Sequence, residues 1–169
     1  STLTLAPSFF DIDDPDINWT SVITGNLTVA IDQLTGIVNI TSLANASGSG
    51  TIAFTATDGS LSSNPSNTVF VTILPVNDAP FLIGTIPNMT FAEDGFGSMS
   101  LLPFFGDIDN SSLLFTVFSD NPSILPTVLS TGTLNVTALS DFFGSGNLTI
   151  TASDGQFNAT ANIVVVVVS

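Results

Sequence analysis

The sequence predicts an all-β protein made of two tandem β-sandwich domains, and three observations predict it. The two halves repeat each other, the apolar runs are short and rich in β-branched or aromatic residues, and Gly, Asn, Asp and Pro separate those runs at close intervals. No stretch carries the 3.6-residue period of an amphipathic helix.

The repeat comes first because a missed repeat misassigns the whole fold. Laid over itself at an offset of 96 residues, the chain aligns without a gap from Ser1 to Leu61. Asp11-Ile12-Asp13 falls on Asp107-Ile108-Asp109, Thr35-Gly36 on Thr131-Gly132, and Asn39-Ile40-Thr41 on Asn135-Val136-Thr137. Gly48-Ser49-Gly50 falls on Gly144-Ser145-Gly146, and Ala56-Thr57-Asp58-Gly59 on Ala152-Ser153-Asp154-Gly155. Residues 1–76 and 77–169 are therefore read as two domains. The first starts where the second is already at Gly97, so it is expected to lack the counterpart of Phe81–Phe96, including a first strand.

In chain order, the first half offers strands near Asn18–Ile23, Leu27–Asp32, Ile37–Ile40, Thr51–Ala56 and Val69–Leu74. The second offers Met89–Ala92, Met99–Leu102, Leu113–Phe118, Leu134–Val136, Asn147–Ala152 and Ala161–Val168. Each run is rich in Val, Ile, Leu, Phe or Thr, which suit a pleated, half-buried surface. Gly36 and Gly132 follow Thr at hairpin-like positions, and the Gly-Ser-Gly segments precede a strand where a turn or bulge needs positive φ. Short strands spaced in this way indicate a sandwich.

Composition narrows the function. There are 14 acidic residues and no Lys, Arg or His, for a net charge of −14. Phosphate backbones and anionic bilayers are bound through Lys and Arg, so neither nucleic acid nor an anionic membrane surface is an expected partner. Without His, Lys or Cys, the usual general bases, Schiff-base amines and thiolates are missing, which leaves only carboxylate chemistry. A pair of carboxylates could serve a glycosidase, but Trp19 is the one Trp, there is no Tyr, and no aromatic platform accompanies the acids. No enzymatic activity is expected. The absence of Cys removes disulfides and thiolate metal sites. The longest apolar run, Ile163 to Val168, is far shorter than the roughly 20 residues that cross a bilayer, so no membrane insertion is expected.

Between the halves, Leu74-Pro75-Val76-Asn77-Asp78-Ala79-Pro80 is a short segment stiffened by two prolines. Its Val-Asn-Asp-Ala-Pro core, with Ala92-Glu93-Asp94-Gly95, Asp107-Ile108-Asp109 and Ser153-Asp154-Gly155, resembles the tandem cadherin-like repeats of microbial extracellular surface proteins. The resemblance covers nearly the whole chain. It implies two tandem Ig/cadherin-like β-sandwich domains that bind Ca²⁺ at module junctions. Residue by residue, it assigns Asn77, Asp78, Asp107, Asp109 and Asp154 to the junction, Glu93 and Asp94 to the opposite pole, and Asp11, Asp13 and Asp58 to the preceding junction. Independently, Ca²⁺ takes six to eight hard oxygens, which carboxylates at i and i+2 of one loop can help supply. The alternative is that these Asp and Asn residues cap turns through side-chain to backbone hydrogen bonds.

Nine Asn-X-Ser/Thr sequons occur, at Asn18, Asn26, Asn39, Asn45, Asn88, Asn110, Asn135, Asn147 and Asn158. With 43 Ser and Thr and 14 Asn in 169 residues, roughly four would arise by chance, and the excess points to N-linked glycans on an extracellular surface, the alternative being sequons that come with any Ser/Thr/Asn-rich β surface. The Ile163–Val168 run lacks the alternation of a strand with one wet face, and is either an ordinary last strand whose outer valines lie under a neighbouring segment or an apolar edge that pairs with another copy. The expected role is a structural subunit of an extracellular, glycosylated filament or surface layer. Its copies would associate head to tail with strand complementation and Ca²⁺ at the junctions. The alternative is a spacer in a large Ca²⁺-dependent adhesin.

Overall fold

A computed structural model describes residues 2–6, 8, 9, 11, 12 and 16–169. The chain divides into two compact units, Ser1–Val76 and Asn77–Ser169. Asp13 lies outside the described residues.

In the first unit the strands are β1 (Thr2–Thr4), β2 (Asn18–Thr24), β3 (Leu27–Ile31), β4 (Ile37–Ser42), β5 (Gly48–Thr57) and β6 (Val69–Ile73). They form two antiparallel sheets in the orders β1-β4-β3 and β2-β5-β6. Strand β5 shows why they face each other. Its Ile52, Phe54 and Ala56 alternate with Thr and Ala, so one face is buried and the other is half-exposed. Those three meet Trp19, Leu5 just after β1, and Leu27 and Val38 of the other sheet in one core. Gly36 closes the turn into β4 at φ +65°, where an added Cβ would sit 2.9 Å from the Ala6 backbone nitrogen, so glycine is required there.

The second unit contains β7 (Phe81–Leu82), β8 (Met89–Ala92), β9 (Phe96–Ser100), a 3₁₀ turn (Leu102–Phe104), β10 (Phe105–Gly106) and β11 (Leu114–Ser119). These are followed by β12 (Ile124–Val128), β13 (Thr133–Ala138), β14 (Gly144–Ser153) and β15 (Asn158–Val168). A four-stranded sheet, β11-β14-β15-β8, faces a three-stranded one, β12-β13-β9, and β10 and β7 form a small third ladder. The core between them includes Leu134, Val136, Leu148, Ile150, Val165 and Val167, with Phe105 meeting Phe115 edge-to-face at 5.5 Å.

The repeat is visible in the registers. Trp19 pairs with Ala56 as Phe115 pairs with Ala152, both at the 96-residue offset. The offset slips by one at the next strand. Leu27 is opposite Ser42, while Ile124 is opposite Ala138, so the buried Leu27 corresponds to Ile124 and a shorter β12–β13 turn restores the alignment.

Four strands differ from the sequence expectation. Ile124–Val128 contains Pro126, which argues against a central strand, but β12 is an edge strand and tolerates the missing amide. Thr2–Thr4, Phe81–Leu82 and Phe105–Gly106 are two or three residues long, too short to give an alternating signal. The Ile163–Val168 run is not an edge: β15 lies between β14, with which it runs antiparallel, and β8, with which it runs parallel. Its burial alternates, with Ile163, Val165 and Val167 in the core and Val164 and Val168 exposed, so the run is a central strand with apolar residues on its outer face.

Candidate functional site

The acidic pole of the second unit is built from three loops. Asp107 Oδ1 accepts from the Asp109 and Asn110 amides, both at 2.8 Å, which winds the loop after β10 into an Asx turn. Asp109 Oδ2 accepts from the Asp78 amide at 2.6 Å, and Asp154 Oδ2 from Asn77 Nδ2 at 2.6 Å. Asp154 lies in the β14–β15 hairpin turn, where its Oδ1 accepts from the Gln156 and Phe157 amides, both at 2.6 Å. The five residues assigned to the junction, Asn77, Asp78, Asp107, Asp109 and Asp154, are thus joined through one hydrogen-bonded loop cluster. Asn110, singled out in the sequence only as a sequon, belongs to it through Nδ2, 3.5 Å from the Asp154 carbonyl.

The charges here are held by backbone amides. The Phe157 amide is the main cause that keeps the Asp154 carboxyl below its usual range, with Asn77 and Gln156 adding to it against partial desolvation. One oxygen has no such help: Asp107 Oδ2 is buried and has no hydrogen-bond partner. A buried carboxylate oxygen without a donor is costly, and no basic residue exists in this chain to meet it. Among the described residues, no three Asp or Glu side chains converge in a metal-binding group. The hydrogen bonds instead follow the turn-capping alternative, and Asp107 Oδ2 is the atom that turn capping does not explain.

The first unit repeats part of this pattern. Asp58 Oδ1 accepts from the Ser60 and Leu61 amides, both at 2.7 Å. The Leu61 amide foremost, then that of Ser60, lowers its carboxyl, while the nearby Asp11 charge pushes it the other way. Glu93 and Asp94 lie elsewhere. The Glu93 amide donates to the Val168 carbonyl at 2.7 Å, at the end of β15 remote from Asp154, and Asp94 has a φ of +59° in the β8–β9 turn. The ten-pair β14–β15 ladder separates the two groups, about 30 Å at strand rise.

Of the nine sequon asparagines, Asn18, Asn26, Asn39, Asn45, Asn88, Asn147 and Asn158 are exposed, whereas Asn110 and Asn135 are half-buried. Asn147 is clamped by Asp120, which accepts from its backbone and side-chain nitrogens, each at 2.7 Å.

A second feature escaped the sequence. Strand β6 has β5 on one side and, among the described residues, no strand on the other. Its equivalent, β15, carries β8 there. Among the described residues, Val69–Ile73 therefore has one strand neighbour where Asn158–Val168 has two.

A family model described as Bacterial Ig domain matches residues 77–167, just over half of the 169-residue chain. No curated protein sequence matches the chain. Among solved structures, human protocadherin-24 EC1-2 is 16% identical, covering 93% of this chain and 83% of that one, with a TM-score of 0.57. Domains 4 and 5 of the S-layer protein SbsC are 17% identical over 91% of this chain and 71% of theirs, with a TM-score of 0.43. An endo-fucoidan hydrolase of glycoside hydrolase family 107 is 19% identical over 92% of this chain, with a TM-score of 0.44, but this chain spans only 24% of that enzyme's length. The protocadherin likeness shows the fold, an all-β pair of tandem Ig/cadherin-like sandwiches.

Proposed function

The chain belongs to the bacterial Ig domain family, and from that membership we propose that it is a non-catalytic structural part of an extracellular filament or surface layer. Neighbouring copies complete one another by strand addition. The tandem repeat of one Ig-like sandwich carries this reading, since two copies of a packed all-β module in sequence suit a scaffold, and a sheet edge is where a strand from a neighbour would add. Seven exposed sequons are consistent with N-linked glycans on the outer surface. The test is sedimentation and electron microscopy of the 1–169 chain across concentration. Concentration-dependent rods or sheets are expected. A monodisperse monomer at high concentration overturns assembly and leaves the spacer reading.

Calcium is part of the same proposal. Asp107 supplies the orphaned oxygen, and Asn77, Asp109 and Asp154 are the residues that would join it around an ion. Such an ion would supply positive charge to a pole that has none of its own. A ligand that binds only the folded state stabilises it by about 2.7 kcal/mol at a hundred times its dissociation constant. Millimolar Ca²⁺ is therefore expected to raise the melting temperature, and Asp107→Asn to abolish the rise. An unchanged melting temperature in chelator and in Ca²⁺ removes the ion from the proposal.

A further inference from the structure

The nine sequons are chemically alike, but the fold does not present them alike. A folded chain can offer a sequon to a transferase only where Nδ2 and the hydroxyl two residues on are free and the backbone between them can leave the surface. In five sequons the middle residue belongs to a hydrophobic core: Trp19, Leu27, Met89, Val136 and Leu148 are each at most 8% exposed. Lifting those segments would draw a core side chain into water. Asn39 lies within β4, laddered to β1 on one side and β3 on the other. Asn158 and Thr160 are laddered to Ser153 and Thr151 of β14. Asn110 is in a loop but half-buried, and its Oδ1 accepts from the Ser112 amide at 2.9 Å while its Nδ2 reaches the Asp154 carbonyl.

Asn45-Ala46-Ser47 meets every condition. All three residues lie in the turn between β4 and β5, Asn45 and Ser47 are exposed, and neither of their side chains has a hydrogen-bond partner among the described residues. Turn geometry alone does not account for the sequon. Asp141 occupies the matching turn of the second unit at φ +57°, as Asn45 does at φ +56°, yet Phe142 and Phe143 follow it where Ala46 and Ser47 follow Asn45. The surroundings also suit a donor activated by phosphate, whose negative charge a carboxylate would repel. Asp58 follows β5, about 30 Å at strand rise from the turn that precedes this strand, and Asp11 is beside Asp58. Asp32 lies ahead of β4, at its other end. By contrast, Asn147 is gripped by Asp120, and Asn110 sits among Asp107, Asp109 and Asp154.

We propose that Asn45 is the residue at which the folded module accepts an N-linked sugar, and that the fold closes the other sequons. The inference rests on the glycan reading of the proposed function and narrows it to one site. In the transfer, Asn45 Nδ2 bonds to the anomeric carbon of a sugar carried on a phosphate or diphosphate. The bond from that carbon to the phosphate oxygen breaks, the phosphate leaves with its electron pair, and an Nδ2 proton passes to a base of the transferase.

The test offers the folded 1–169 chain to a soluble N-glycosyltransferase with a nucleotide-activated hexose and reads each sequon by mass spectrometry. Asn45 is expected to carry at least tenfold more sugar than any other sequon, and Ser47→Ala to leave it bare. A chain with Asp141→Asn and Phe143→Ser places the same sequon in the matching turn of the second unit, where Phe143 is 67% exposed, and is expected to gain a second site. A bare Asn45, a transplanted sequon that stays bare, or equal occupancy at Asn135 or Asn147 overturns selection by the fold. Protein isolated from its source separates this inference from the reading beneath it. Sugar at Asn135 or Asn147 there overturns the inference and keeps the glycan reading. No sugar at any sequon there overturns the glycan reading, while the transferase result still decides whether the fold selects Asn45.

Discussion

Asp58 and Asp154 each hold two backbone amides at the same turn of their units, which gives those carboxylates a job in any solvent. Their folded-state pKa values are lowered, first by the Leu61 and Phe157 amides respectively. A carboxylate with a depressed folded pKa contributes stability above its unfolded value of about 3.9, and loses that contribution as pH falls through the lower folded value. With no His or Cys in the chain, melting temperature should be flat from neutrality to about pH 5 and fall below it. Asp154→Asn should flatten that acid limb, as thermal melts across pH would show. The Asp-Ile-Asp and Asp-Gly motifs were legible in the sequence, because side-chain type and spacing alone define an Asx turn. The burial of Asp107 Oδ2 was not, since it depends on loops far apart in the chain. Gly97 is another residue whose role only packing reveals: an added Cβ would collide with Met89 Sδ. Gly97→Ala should destabilise the second unit by about 1–3 kcal/mol, measured by denaturant unfolding.

At the scale of elements, strands with two-residue alternation were legible, and those defined by neighbours were not. Leu27–Ile31 is readable because its apolar residues alternate, whereas its counterpart Ile124–Val128 carries Pro126 and is offset by one residue. The valine run of β15 shows the limit most clearly. Its residues show no polar alternation, yet its burial alternates, with Val164 and Val168 on the exposed face, because valine suits a pleated strand on either face. Two phenylalanines test the distinction between faces. Phe91 on β8 is 9% exposed and Phe70 on β6 is 82% exposed. Phe91→Ala should cost about 3–5 kcal/mol, while Phe70→Ala should stay within about 0.5 kcal/mol in the monomer. In the irregular segment around Pro65 that leads into β6, the Ser63 and Ser66 hydroxyls accept from the Ala56 and Phe54 amides, at 3.1 and 3.0 Å. The sandwich thus keeps those β5 donors satisfied without a ladder.

Over the whole molecule, all side-chain charge is of one sign. An ordinary protein passes through neutrality on acidification and becomes soluble again as a polycation. This chain has no side chain that can make it one, so protonation only removes the repulsion between copies. Solubility should fall as pH drops through the carboxylate range of about 4 and should not recover at pH 2. Turbidity or sedimentation across that interval measures this, and recovery at pH 2 would contradict it.

The parallel pairing of β8 with β15 also has a mechanical meaning. These strands lie near the two ends of the second unit, so a pull along the chain loads their hydrogen bonds side by side in shear and they must fail together. The described residues of the first unit contain no such latch, because β6 is bonded only to its antiparallel hairpin partner β5 and can be peeled away one bond at a time. In single-molecule stretching the first unit should therefore give way at lower force than the second.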